Sequence, residues 1–287
     1  MPFTASHAVV ALAFVRTPLV PAAIAIGAMT PDLPLFLRGW GIDYGRTHSL
    51  SWLPVTMLVA LALLLVWRCL LRPAVRELLP RTVARRIPAD WDTGPVAALR
   101  ETFGGTDGSK LRSTALLLIS LALGVASHIA WDVFTHEGRW GTELLPVLDQ
   151  DWGPLTGYKW LQHGSSVVGL VVIAVWAAWA LRRRPAGWGP ERLLPVAVRF
   201  SWWLSLPAVL VLAWGTGLVI YGPLSPTWTV AHLAYRVLPP ACAVWGVLTL
   251  LLCTVVVVVR RAVLRPGERA KRSDTPGTTP DLPTPGA

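Results

Sequence analysis

The chain has 287 residues, of which 53% are hydrophobic and only 15% are charged. A soluble domain carries about a quarter charged residues, so this composition argues against a soluble protein. The 16 tryptophans and the mean hydropathy of +0.52 favour an integral membrane protein. The net charge of +10 raises the question of nucleic-acid binding. Because the basic residues flank apolar runs and no nucleic-acid-binding motif is present, we expect membrane lipids as partners and no nucleic acid.

The first predicted elements are two short apolar stretches, residues 7–16 and 19–29, joined by the sequence RTPLVP. Each is shorter than the roughly 20 residues that a transmembrane helix needs. We therefore predict an N-terminal helical hairpin that either spans the membrane or is re-entrant. A re-entrant segment is tolerated only where it packs against other protein.

Longer apolar runs follow, and each predicts a transmembrane helix: residues 50–71, 113–135, 164–181, 200–221 and 237–259. The predicted fold class is an all-α polytopic membrane protein, with the N-terminal helical hairpin plus about five transmembrane helices. We assign residues 1–265 to a single integral-membrane domain. Residues 266–287 are rich in Pro, Gly and Thr without apolar periodicity, which predicts a disordered tail.

Lysine and arginine concentrate in residues 68–112, 182–199 and 260–272, which share one side if every run spans once. By the positive-inside rule that side is cytoplasmic, so we expect a multi-pass protein of the cell (cytoplasmic) membrane. We interpret residues 72–112 as a solvated basic cytoplasmic connector with short interfacial helices. This topology puts all six histidines on the extracytoplasmic half.

The sequence ASHIAWDVFTH, residues 126–136, places His128, Asp132 and His136 four residues apart at the end of an apolar run. In a helix this spacing predicts one stripe of side chains. Ionisable groups inside a membrane are costly and normally face the bundle interior, a partner or a cavity. Two interpretations are open, a metal site or a buried hydrogen-bond network between helices.

Three further residues are predicted at the same membrane level. Asp32 lies between Pro31 and Pro34, His48 precedes the first long span, and His7 begins the hairpin. The candidate metal ligands are then His7, Asp32, His48, His128, Asp132 and His136. Three or four His and Asp ligands suit a divalent metal ion, zinc first, and manganese, iron or nickel as alternatives.

Six such groups exceed one tetrahedral shell, so some are expected to orient ligands, to act as a general base or to hold a second metal. Asp32 and Asp132 are the candidate catalytic residues. Arg46 and Arg139 flank the cluster, where they would hold a phosphate or carboxylate or contact lipid headgroups.

The motifs MPFTASHAVVAL, GAMTPDLPLFL, RTHSL and ASHIAWDVFTHEGRWG resemble a bacterial membrane family, domain of unknown function 4184. Their order also resembles the broader membrane-bound metal-dependent hydrolases, which carry an early His, a PDxD-like element, a THS element and a paired His/Asp helix. In this chain Pro34 replaces the second acid of the PDxD-like element. That replacement argues against a two-metal centre of the kind the resemblance implies.

Three functional hypotheses follow. The first is a membrane-bound metal-dependent hydrolase that acts on a lipid-like or envelope substrate at the extracytoplasmic face. The second is a non-catalytic scaffold in which a polar or metal cluster ties helices together. The third is an ion or metal transporter, which predicts ionisable groups at several depths of the membrane.

Overall fold

A computed structural model of the protein describes residues 4–38, 41, 43–104, 109–189 and 191–273. Nearly all of this part of the chain that has regular structure is helical. Five of its helices are long and apolar enough to cross a membrane: Leu50–Leu78, Lys110–Thr135, Gly157–Arg183, Val196–Tyr221 and Val230–Val263. The predicted fold class is therefore confirmed, and each helix extends beyond the apolar run that predicted it.

The described residues form the following elements in chain order. After a 3-10 helix, Thr4–Phe14, come α1 (Pro21–Met29), a 3-10 turn (Thr30–Asp32), α2 (Leu33–Phe36), α3 (Tyr44–Thr47), a 3-10 turn (Leu50–Trp52), α4 (Leu53–Val66), a π-helical turn (Trp67–Leu71) and α5 (Arg72–Leu78). Next come α6 (Arg81–Ala84), a 3-10 turn (Ala89–Asp92), α7 (Pro95–Gly104), α8 (Lys110–Thr135), α9 (Trp140–Leu144) and a 3-10 turn (Pro146–Asp149). The last described elements are β1 (Asp151–Trp152), β2 (Leu155–Thr156), α10 (Gly157–Arg183), α11 (Val196–Tyr221) and α12 (Val230–Ser273).

The bundle has two chemically different ends. At the histidine end, the turn before α4 meets the last turns of α8, through the ring nitrogens of His48 and His128. At the arginine end, Arg76 of α5 donates to the carbonyl of Trp188, and Arg260 of α12 forms an ion pair with Asp92. The basic regions of the sequence therefore share one end, as the alternation of spans predicts.

The N-terminal hairpin has the geometry of a re-entrant segment rather than of two membrane spans. Its two arms are the 3-10 helix and α1, and both have their outer ends at the histidine end, where Thr4 donates to Asp32. Between the arms, the amide of Val20 donates to Oγ of Ser120, near the middle of α8. An α-helix of nine residues, the length of α1, is about 13 Å long and cannot cross the bilayer.

The close approach of α1 and α8 is permitted by two glycines. A Cβ on Gly27 would lie 2.7 Å from the carbonyl oxygen of Leu121, and one on Gly124 would overlap the carbonyl oxygen of Ile24. Ala23 with Gly27, and Ser120 with Gly124, give each helix two small residues one turn apart, the arrangement that lets membrane helices pack backbone to backbone. A core of Ala23, Ala60, Leu64, Leu117 and Leu121 continues this contact onto α4.

The basic connector, residues 72–112, differs from the predicted solvated segment. Arg76 and Glu77 of α5 are only 4% and 0% exposed, because α5 packs against α12 through Ala74, Leu78, Cys253 and Val256. Arg72 pairs with Glu101 of α7 at 3.0 Å, which folds the connector back on the bundle. Composition alone could not predict this, since the ion-pair partners are distant in sequence.

The final helix, α12, continues to Ser273 and so enters the segment 266–287 that the sequence predicts to be disordered. The rest of that segment lies outside the described residues.

We expect the substitution Gly124→Ala to reduce the melting temperature and the folded yield of the detergent-purified protein. The added methyl group must push α1 away from α8, and overpacking of this kind costs about 1–3 kcal/mol. Gly215→Ala in α11 is the matched control, because a Cβ at Gly215 meets no atom within 4 Å. Equal stability of the two variants would contradict the backbone contact described here.

Candidate metal centre

Four ligand atoms from three separate parts of the chain converge at the histidine end. Nε2 of His48 lies 3.1 Å from Nε2 of His128. Oδ2 of Asp132 lies 3.4 Å from each of these nitrogens, and Oδ1 of Asp32 lies 3.7 Å from each. All four side chains are buried, and His128 is fully inaccessible to solvent.

His7 is the fifth member of this group. Its ring lies against the ring of His128, with the centroids 4.0 Å apart, and one ligand atom each of His7, His128 and Asp132 lie within 4.8 Å of one another. Nε2 of His7 is buried and has no hydrogen-bond partner among the described residues. We call His7, Asp32, His48, His128 and Asp132 the His/Asp cluster.

Backbone carbonyls fix the tautomers of the two central histidines. Nδ1 of His128 lies 2.7 Å from the carbonyl oxygen of Ala28, and Nδ1 of His48 lies 2.9 Å from that of Tyr44. A carbonyl only accepts, so each Nδ1 carries a hydrogen. In the neutral rings both Nε2 atoms then present lone pairs, which repel at 3.1 Å unless a proton or a cation lies between them.

The carboxylates are also held by their surroundings. Asp32 lies between Pro31 and Pro34, at the end of the 3-10 turn that follows α1, and its Oδ2 accepts from the hydroxyl of Thr4 at 2.7 Å. Its Oδ1 faces the histidines and has no hydrogen-bond partner in the described part of the chain. Asp132 lies one turn after His128 in α8, and that spacing places both side chains on the same helix face.

The charges of the cluster are strongly coupled. Burial of His48 opposes its protonation, but the adjacent carboxylates of Asp132 and Asp32 outweigh burial and raise its pKa to about 9. Burial alone would favour neutral Asp32, yet the His48 ring, 3.7 Å from its Oδ1, holds the pKa of Asp32 below its ordinary value. A proton on His48 would therefore separate the two Nε2 atoms and neutralise part of the carboxylate charge.

The donor set fits a small divalent cation. Nitrogen and oxygen ligands about 2.0–2.1 Å from a tetrahedral zinc ion lie about 3.3–3.4 Å from one another. Five of the six separations among the four convergent atoms range from 3.1 to 3.7 Å, and the atoms that all lie within mutual reach form two sets of three, Asp32 with His48 and His128, and His7 with His128 and Asp132. The carbonyl oxygens of Ala28 and Tyr44 occupy the place of the partners that orient metal-ligating histidines. The residues present therefore fit zinc, with His7 available as a further ligand or base.

His136, the sixth predicted ligand, lies beside the cluster. The α8 helix ends at Thr135, and His136 has extended backbone angles, so the predicted helical stripe stops at Asp132. Nε2 of His136 accepts from the side-chain amide of Gln162 at 3.3 Å, while Nδ1 lies 3.3 Å from the carbonyl oxygen of Asp132. His136 is thus placed to orient Asp132 and to link α8 with α10.

Several contributors escaped the sequence prediction: Thr4, Ala28, Tyr44 and Gln162. Two of them act through backbone carbonyls, which no residue pattern can indicate.

The other two histidines lie outside the His/Asp cluster. His163, next to Gln162, is solvent-exposed, and the ring of His232 stacks on Trp228, which lies in the turn before α12. Arg46 lies over the ring of Trp52, 5.0 Å from its centroid, which suits an arginine at the membrane interface.

These features define a polytopic helical membrane protein with a buried His/Asp cluster at one end of the bundle. The chain belongs to the family described as Domain of unknown function (DUF4184), whose model matches residues 1–265. No curated protein and no solved structure matches the chain.

We expect separate substitutions to distinguish the cluster from its neighbours. His128→Gln should abolish most zinc binding, because Nε2 of His128 contacts three of the other ligand atoms. His136→Gln should retain near-stoichiometric metal, and His232→Gln is the matched control. Elemental analysis of the purified proteins, with circular dichroism to verify folding, checks this. Loss of metal from the His136 variant alone would contradict the assignment.

A second expectation concerns the pH dependence of the metal-free protein. The pKa of His48 is raised from 6.5 to about 9, so its protonated ring stabilises the fold. This contribution is fully present below about pH 6.5 and is lost as the pH rises through about 9. The melting temperature measured in chelator should fall across this window, and His48→Gln should flatten the fall. A melting temperature in wild type that does not change across the window would contradict the coupling.

Proposed function

We propose that this protein is a membrane-bound metal-dependent hydrolase that acts on a lipid-like substrate. The observation that carries the proposal is the convergence of buried imidazole and carboxylate atoms at separations suited to one divalent ion. The motif order that resembles membrane-bound metal-dependent hydrolases supports the same class. A single ion is favoured because Pro34 occupies the position of a second acid.

A cavity beside the cluster supports a lipid-like substrate. It has a volume of about 470 Å³ and lies between the 3-10 helix Thr4–Phe14, α8 and α10, with His7 in its wall. Its polar lining comes from hydroxyls, among them Ser6 and Ser165, and its apolar lining includes Val168 and Val172. An amphipathic molecule would place its polar group near His7 and its chain along the valines.

The chemical roles follow from the positions of the side chains. Asp32, His48 and His128 would hold the ion and leave one coordination position for water, which the ion when bound would make nucleophilic at neutral pH. Among the described residues, Oδ1 of Asp132 accepts a single long hydrogen bond, from Thr135 at 3.5 Å, so Asp132 could accept a proton from that water. His7, with its unpartnered Nε2, is the alternative base.

The orientation of the protein is part of the proposal. The excess of lysine and arginine at the arginine end supports a cytoplasmic location for that end of the bundle. The cluster and its cavity would then open toward the outer half of the cytoplasmic membrane. Substrates at that level are membrane lipids or envelope precursors that carry an ester, phosphoester or amide bond.

We expect a zinc-loaded sample in nanodiscs to hydrolyse at least one member of a panel of carboxylester, phosphoester and amide lipids. Loss of a residue that only orients a metal ligand typically reduces activity about 10- to 100-fold. Asp132→Asn should reduce turnover by more than that. Metal content is measured in parallel. A protein that binds one zinc ion but turns over no lipid of the panel would favour the structural scaffold.

The cavity is tested by a matched pair of substitutions in α10. Val168→Trp would fill the cavity, whereas Val167→Trp adds the same bulk at a residue that does not line it. The Val168 variant should keep its metal and lose activity on long-chain substrates at least tenfold more than on short-chain ones. Equal effects of the two variants would show that substrates do not enter through this cavity.

A further inference from the structure

A cleft of about 380 Å³ at the arginine end is unrelated to the His/Asp cluster. It lies between the residues that follow α5 and the first turns of α11, at the level where both transmembrane helices end. One wall is cationic, with Arg81, Arg192 and Arg199, and the other is apolar, with Leu79, Phe200 and Trp203. We call it the arginine cleft.

The positive charge of the arginine cleft exceeds the negative charge near it. Among the described residues, Glu77 is the carboxylate that pairs with an arginine of the cleft, and it lies 3.5 Å from Arg199 and 3.5 Å from Arg260 of α12. Its oxygens also accept from the amides of Leu193 and Leu194. One fully buried carboxylate is therefore shared by two arginines and two amides.

The other two arginines of the cleft have no carboxylate within ion-pair distance among the described residues. Arg192 donates from its terminal nitrogens to the carbonyl oxygens of Glu77 and Leu79, and its Nε is buried without a partner in the same part of the chain. Burial, and then the adjacent charge of Arg199, lower the pKa of Arg192. The cations repel one another, and an anion bound among them would relieve that repulsion.

The apolar wall suits a lipid chain. Phe200 and Trp203 are 64% and 47% exposed on a transmembrane helix, and the indole N–H of Trp203 donates to the carbonyl of Leu78 at 3.0 Å. That hydrogen bond holds the ring beside the arginines. A phosphate at the end of the span and methylene groups along Phe200 and Trp203 would match the polarity of both walls.

We propose that the arginine cleft binds an anionic phospholipid, with its phosphate held by Arg81, Arg192 and Arg199 and its acyl chain against Phe200 and Trp203. Guanidinium groups bind phosphate oxygens through paired, charge-assisted hydrogen bonds. An acidic lipid is favoured over a zwitterionic one because the surplus positive charge attracts net negative charge. The site is independent of the proposed hydrolase activity.

The test uses the full chain in detergent and measures lipid binding by native mass spectrometry and by thermal shift. Phosphatidylglycerol should bind and raise the melting temperature, whereas phosphatidylcholine with the same chains should not. Glycerol phosphate distinguishes a lipid site from a site for a free phosphate. Protection by glycerol phosphate equal to that by phosphatidylglycerol would overturn the lipid assignment.

Two variants locate the site. Arg81 is exposed and has no ion-pair partner among the described residues. Arg81→Gln should weaken phosphatidylglycerol binding about fivefold, as expected for the loss of one arginine near an anionic lipid. Arg81→Gln/Arg192→Gln should weaken it further. Arg182→Gln is the matched control, since it removes an exposed charge at the same end outside the cleft. An equal loss in the Arg182 variant, or none in the Arg81 variant, would overturn the proposal.

Discussion

The contact between α1 and α8 at Gly27 and Gly124 is the constraint on which the histidine end depends. Because neither glycine has a side chain, the two backbones approach closely enough for His128 to reach the carbonyl of Ala28. That hydrogen bond fixes the tautomer of His128 and directs its Nε2 away from α1. The turn after α1 then places Asp32 beside His128. The packing of small residues within the membrane therefore positions a polar cluster one helical turn beyond Gly124.

The two ends of the bundle bury charge in different ways. At the histidine end, carboxylates and imidazoles from the hairpin, the turn before α4 and α8 neutralise one another at short range. At the arginine end, Glu77 and Asp92 connect α5, the 3-10 turn Ala89–Asp92 and α12 through Arg76 and Arg260. Both arrangements hold distant segments together, but among the described residues only the histidine end directs unpartnered lone pairs toward a common point. This difference is the physical basis for assigning a cation to one end and an anion to the other.

The sequence predicted those features that depend on composition and local spacing. Hydropathy located the five long helices, and the pair His128 and Asp132 indicated a helix face because four residues make about one turn. The glycine contact was not predicted, since the small residues of α1 and α8 indicate packing only once the two helices are known to be neighbours. His136 was placed in the helical stripe because residue spacing does not show where α8 ends. The carbonyls of Ala28 and Tyr44 carry no sequence signal at all.

The proton on His48 has a consequence for how the cluster assembles. In many small metal sites the empty ligands repel and the protein is unfolded until the ion binds. Here a protonated His48 ring would occupy the electrostatic position of a cation between two carboxylates and cancel half of their negative charge, so the metal-free ligands repel one another less. An arriving ion would exchange with a proton in a preassembled shell. Loading and release would then proceed as ion exchange within a folded membrane protein, without the helices having to separate.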